Sequence, residues 1–356
     1  MRNKQKINIP IPADIDEAYR SLYEKKSSYV CPELTVKKYR NVFVSHEGLC
    51  LQHFRLLPYS SFNIRTNYDK SFGWQYYKLV MEQYLVSTYG KSLKKIALDD
   101  DTNYALIHTK WANYSFWITS SLVRLLMLQN SGLDFTLLYP EEWDNVAYIQ
   151  ETLKAFPNLK YKRIPAGVHI QVKNLLLPEV RPFTACFNGA ELQMVHDYIV
   201  ARLPEEYKSR SYPERIYVTR RKAKYRKVAN EQDVVALLEK YGFSVIDFDD
   251  MLFWDQVAQM QAAKVLVAVH GAGMANLIFT KPQTQILELL HEYKSPSAYR
   301  FPYWIGAETM GRKYRCTFNK ICENTMELSV INRDLFPDLF VDLSVLENHI
   351  KQMLAE

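Results

Sequence analysis

The stretch VLVAVHGAGMANLIF, residues 265–279, decides how this chain is read. Its first five residues are aliphatic without interruption, the pattern of a strand buried on both faces. The run halts on His270-Gly271-Ala272-Gly273 and turns apolar again at Met274, which predicts the start of a buried helix. A strand, a small-residue turn and a helix N-terminus in succession suit the holding of a phosphate. Backbone N–H groups approach the anion there, and the helix dipole adds positive potential.

Working outward, strands and helices alternate. RIYVT (215–219) reads as a strand, and NEQDVVALLEKYG (230–242) as a helix opening at Asn230 and stopping at Gly242. FSVIDF (243–248) is a strand, DQVAQMQAA (255–263) a helix, and QILEL (285–289) another strand. Helical crossovers of this length predict a parallel, right-handed sheet. In the first half, NVFVSHEGLCLQ (41–52) reads as a hairpin turning at Glu47-Gly48, and FGWQYYKLVMEQYLVSTYG (72–90) as a helix. KKIAL (94–98) is a short strand running into Asp99-Asp100-Asp101; a helix over 114–130, a strand at 135–140 and a helix over 145–156 follow. A boundary is expected near 186–189, and the last helix, 343–354, is amphipathic. The expectation is therefore α/β, with about two domains for 356 residues.

Composition narrows the function. Hydrophobic residues make up 48% and charged residues 24%, as in a soluble globular protein, and no apolar run approaches the length of a membrane span. The N-terminal MRNKQKINIPIPADIDEAY lacks the apolar core of a secretory signal. The five cysteines are scattered, without CxxC spacing, so reduced thiols and a cytoplasmic location are expected and no zinc site is. The net charge of +6 has its densest patch in RRKAKYRK, 220–227, either a solvated face or an attraction for phosphate, anionic membrane or nucleic acid.

Ligands of open parallel sheets sit beyond the carboxyl ends of the strands. His270 to Gly273 stand at such an end, as do Arg220 after IYVT and Glu288 within ILEL. An arginine fork facing the turn amides would clamp phosphate oxygens, which suggests a nucleoside diphosphate. Each residue also has a plainer reading: Gly271 and Gly273 as a tight turn, His270 as a core histidine, Asn230 as a helix cap, Glu288 as a buried carboxylate paired to a lysine.

In order along the chain stand Thr219-Arg220, Arg226-Lys227, Asn230-Glu231, Tyr241-Gly242-Phe243, Phe253 and Gln256. Ala263, the 270–273 block with Asn276 and Phe279, Glu288, and Ala307, Gly311 and Tyr314 follow. This series resembles glycosyltransferase family 61, covering the C-terminal half firmly and the N-terminal half loosely. The resemblance implies a GT-B architecture, two Rossmann-like domains facing a cleft: an acceptor domain (1–186), a nucleotide-sugar domain (187–330) and a segment (331–356) whose helix returns toward the first. It implies an inverting enzyme without an essential metal or a permanently bound cofactor, moving a sugar from a donor, UDP-linked, to a hydroxyl of a capsule- or lipopolysaccharide-type glycan. Such work suits the inner face of the cytoplasmic membrane, with peripheral contact to anionic lipid and no nucleic acid as partner. Arg220, Arg226, Asn230, Glu231, His270, Gly271, Ala272, Gly273, Asn276 and Glu288 are then the donor-binding residues.

The family's N-terminal motif carries a histidine and, four residues on, an acid. Here NYSFWITSS places Phe116 and Ser120 at those positions, and neither serves as a base. Asp99, Asp100, Asp101 and His108, which precede the helix over 114–130, are alternatives for the general base, and His270 is another; Asp101, His108 and His270 are taken as the candidates. Three other readings stay open: a non-catalytic family member that binds a nucleotide sugar or scaffolds a glycan-synthesis complex, a metal-dependent GT-A transferase using Asp99 and Asp101, and nucleic-acid binding through 220–227.

Overall fold

The structure is a computed structural model describing residues 4–12, 14–53, 55–57, 94–109, 113–181, 185–292, 301–322 and 337–356. The helix expected at 72–90 lies outside the described residues. The chain divides into two compact units: Pro32–Cys186 makes up nearly all of the first, and Phe187–Glu356 together with Gln5–Cys31 the second. Each unit is α/β around its own sheet, which contains parallel strands.

In the first unit the sheet order is Arg55–Leu56, Cys50–Gln52, Val36–Val44, Val168–Pro178, Lys94–Ala105, Thr136–Pro140, Tyr161–Ile164. The last four strands are mutually parallel, and Val36–Val44 runs antiparallel to Val168–Pro178. The hairpin expected at 41–52 forms: Val44 pairs Cys50, and Gly48 takes φ 85, the left-handed geometry its turn requires. The helical run from 114 begins with Asn113 accepting from the Phe116 amide at 3.0 Å, widens to π-helix over Trp117–Ser121, and continues as Leu122–Asn130. One expectation fails: the strand does not end at Leu98 but continues to Ala105, and Asp99–Asp101 fall at a register shift within it. Local pattern missed this because three exposed acids look like a strand terminus. They occupy a bulge, where the ladder is interrupted without the strand ending.

In the second unit the order is Ser244–Ile246, Arg215–Val218, Val265–Val269, Gln285–His291, Lys313–Ile321, Leu339–Phe340, with all neighbours parallel except the last pair. All five side chains of Val265–Val269 are buried, as an aliphatic run in the middle of such a sheet must be. Each fully buried side chain of this size stabilises by about 1.5–3 kcal/mol. The helix expected after it is a 3-10 helix, Ala272–Phe279. Met274 to Phe279 are all buried, and Pro282 just beyond disfavours helical backbone at Lys281, so the segment closes before an α-helix can lengthen.

Two further differences concern domain bounds. Gln5–Cys31 belongs to the second unit: Tyr19 stacks on Phe318 with ring centroids 3.6 Å apart, and Trp304 Nε1 donates to the Pro10 carbonyl at 3.1 Å. The helix Leu343–Ala355 buries Leu346, Ile350 and Met353 in the second unit's own core with Val234 and Leu238. Its apolar face lies in the core of the unit it follows.

Candidate functional site

The strand ends of the second unit gather most of the donor-site candidates. The Arg220 guanidinium lies over Gly271: a Cβ built on that glycine would fall 2.0 Å from Arg220 Nη1. Gly271 is extended, with φ 174, so a glycine is needed there for space and not for backbone freedom. Arg220 Nη2 donates to the Tyr225 carbonyl at 3.1 Å, while its Nε has no hydrogen-bond partner among the described residues. Arg226 Nη1 donates to the His270 carbonyl at 3.1 Å. Burial and the nearby Arg226 charge hold the Arg220 pKa below its usual value. Two guanidinium groups brought together in half-buried surroundings set up a positive potential that an anion would relieve. The amides of Ala272 and Gly273 open the helix Ala272–Phe279 directly after Gly271, ahead of the Met274 amide, which donates to the Gly271 carbonyl at 2.9 Å.

Glu288 is completely buried and joins two side chains: its carboxylate takes the Tyr314 hydroxyl at 2.5 Å and pairs with His270 Nδ1 at 2.5 Å. Glu288 therefore fixes the His270 ring, leaving Nε2 as the nitrogen that can meet a ligand. The lysine partner considered from sequence is replaced by a histidine and a tyrosine.

The other candidates are held differently. Asn230 sits at the first position of its helix without capping it; its amide donates to the Val341 carbonyl and accepts from the Val341 N–H, both at 2.9 Å. It ties the chain before the last helix to the sheet, which accounts for its side chain without a ligand. Glu231 accepts from Tyr217 at 2.9 Å and Thr219 at 2.5 Å, and Thr219 in turn accepts from the Arg221 amide. Glu231 thus braces the turn that carries Arg220. Asn276 donates to Gln256 at 2.7 Å, and Gln256 donates to the carbonyls of Phe248 and Met251. The Phe248 ring so held rests 3.2 Å from where a Gly273 Cβ would stand.

The basic run is not a uniform face. Arg220 and Arg226 turn to the strand ends, whereas Arg221 lies 3.7 Å from Asp247, and Lys222 pairs with Asp250. Nucleic-acid binding through 220–227 loses its premise, a continuous solvated cationic stripe.

The base candidates separate. Asp101 is exposed on the first unit's bulge and pairs with Lys173 at 2.8 Å. It is not at a strand end, which removes the geometric basis of the GT-A reading. Asp100 is engaged by the Thr102 side chain and amide and by the Tyr104 hydroxyl, which hold its carboxyl below the usual range. His108 is buried, donates Nε2–H to the His46 carbonyl at 3.1 Å, and is pushed down to about 3 by burial. A base must take up a proton, and this ring resists one.

Sequence reasoning missed His291, which is buried at the end of its strand and lowered to about 3 by burial and by the His270 and Arg226 charges. Its signal was a position at the end of the same strand as Glu288. His108 and His291 are neutral when folded, whereas an unfolded histidine protonates near pH 6.5. Between those values the unfolded chain binds more protons, so stability falls as pH falls, by up to about 1.4 kcal/mol per pH unit for each ring. Urea denaturation at pH 7.5 and 5.0 should therefore show a lower midpoint at pH 5.0; equal midpoints would contradict the burial of both rings.

Residues 114–287 match the family model described as Glycosyltransferase 61. The chain carries a glycosyltransferase 61 domain. The match takes in the described helices of the first unit and ends within the strand that carries Glu288. The EGF domain-specific O-linked N-acetylglucosamine transferase of Drosophila melanogaster is 27% identical over 177 residues, covering 44% of this chain and 34% of the fly protein. The matched stretch thus spans about a third of that relative's length. Among the described residues no helix is long and apolar enough to cross a membrane.

Proposed function

We propose that this protein is an inverting glycosyltransferase that binds a UDP-sugar at the strand ends of the second unit and transfers the sugar to a glycan hydroxyl. One observation carries the reading: the Arg220 guanidinium seated on the bare Gly271 beside Arg226. A departing diphosphate gains charge as the glycosidic C–O bond breaks, and positioned guanidinium and amide donors stabilise that charge where it develops. In this reading Arg220, Arg226 and the amides from Gly271 to Gly273 meet the phosphates, and the first unit receives the acceptor in a GT-B arrangement. Glu288 orients His270 toward the donor. N-acetylglucosamine, which the fly relative's name specifies, is the first donor sugar to try.

Thermal unfolding with UDP, GDP, CMP and TDP, each with and without Mg²⁺, tests the site. UDP should raise the midpoint most, by an amount equivalent to about 2.7 kcal/mol at a hundred times its Kd, and Mg²⁺ should add nothing. No response to any nucleotide would refute the donor site, and a response that requires Mg²⁺ would refute metal-independent binding. UDP binding without turnover of any UDP-sugar would favour the non-catalytic family member.

A further inference from the structure

His46, in the 45–48 turn of the hairpin, bonds through Nε2 to Glu142 at 2.7 Å. Glu142 is the second residue past the carboxyl end of Thr136–Pro140, and the His46 carbonyl receives His108, the third residue past the end of Lys94–Ala105. The hairpin turn is thereby brought against the residues leaving two parallel strands, the side of such a sheet where ligands sit. Gly48 makes the approach: a Cβ there would fall 2.7 Å from the His108 carbonyl oxygen.

Trp143, next to Glu142, packs edge-on to His108 and Trp117, with centroids 5.3 and 5.1 Å away. Trp117 follows Phe116, where the resembled family has its histidine, so the dyad belongs to the same cluster as the altered motif. Two buried nitrogens of that cluster, His108 Nδ1 and Trp117 Nε1, have no hydrogen-bond partner among the described residues. Neighbouring acids are engaged elsewhere: Glu141 accepts from the Ala166 amide at 2.7 Å and Asp144 from Arg163 Nε at 2.7 Å.

We propose that His46 is the general base for the acceptor hydroxyl and that Glu142 is its positioning residue. The proposal rests on the transferase reading above. Glu142 accepts the Nε2 proton and leaves the Nδ1 lone pair on a ring whose side chain is 20% exposed. In the step, the acceptor O–H gives its proton to Nδ1 as its oxygen bonds to the anomeric carbon. The bond from that carbon to the diphosphate oxygen breaks, and the diphosphate leaves with the electron pair. The imidazolium formed is paired with the Glu142 carboxylate and later returns its proton to water. The charged or titratable groups facing His46 are Glu142, His108 and His169, the last two with pKa values lowered by burial.

The test uses the full chain with UDP-N-acetylglucosamine, water and simple methyl glycosides as acceptors, and UDP affinity measured in parallel. H46N and E142Q should each lower kcat by about 10²–10⁴-fold with UDP affinity unchanged, and E142D should recover part of the loss. Two-dimensional ¹⁵N NMR should show His46 as the Nε2–H tautomer. H46N turning over at the wild-type rate, or an Nδ1–H tautomer, overturns the assignment and leaves the transferase reading standing. A wild type that binds UDP but turns over no UDP-sugar removes that reading and the dyad's role with it.

Discussion

Replacing Arg220 with alanine should weaken UDP binding by at least about a hundredfold and erase nucleotide-dependent thermal stabilisation. Hydrogen bonds to charged groups are worth about 1.5–3 kcal/mol each, and a guanidinium offers two to one phosphate. Losing both costs about 3 kcal/mol or more, and about 1.4 kcal/mol is a factor of ten. Gly271→Ala is the sharper variant, because it leaves the arginine in the chain. The new methyl would stand where Nη1 now lies. The end of a long side chain can swing aside, so the fold should survive while the guanidinium leaves its seat. Calorimetry should rank the three proteins wild type, then G271A, then R220A; a G271A protein with wild-type affinity would show that the seat on Gly271 is not the binding position.

The strands and the donor turn were legible because their causes are local. An aliphatic run flanked by small residues is a central strand ending in a turn wherever it occurs, and Val265–Val269 followed by Gly271 is that pattern. The juxtaposition of Arg220, His270 and Glu288 followed from one topological rule about strand ends. What escaped was set by partners distant in sequence. Asn230 reads as a cap in any window around it, and only Val341, 111 residues on, shows what its amide does. Asp99–Asp101 read as a terminus because a bulge has no composition of its own. His46 drew no notice beyond its hairpin, since Glu142 lies 96 positions away.

The same limit hid the charge with the largest structural consequence. Arg124 stands in VRLLML, within the helix expected over 114–130, and its side chain is 1% exposed. Its guanidinium donates to four carbonyls: Leu106 at 3.1 Å, Ile107 at 2.6 Å, His108 at 3.3 Å and Pro178 at 3.0 Å. These carbonyls lie at and just beyond the ends of two neighbouring parallel strands, where the ladder no longer supplies donors. Burial holds the arginine's pKa below its usual value, and it stays in place because each carbonyl would otherwise be buried without a donor. Arg124→Met keeps much of the volume and removes every donor. A buried acceptor left unpaired costs about 1–3 kcal/mol, so four of them cost at least about 4 kcal/mol, a large share of a typical domain's stability. Urea denaturation of R124M should show that loss, with the first unit unfolding at lower denaturant than in wild type. Because the arginine fixes the backbone that positions His108 against His46, residual folded R124M should also transfer sugar more slowly while binding UDP normally. A variant as stable as wild type would mean that water can replace the guanidinium at the strand ends, and that the helix 122–130 does not depend on this residue for its seat on the sheet.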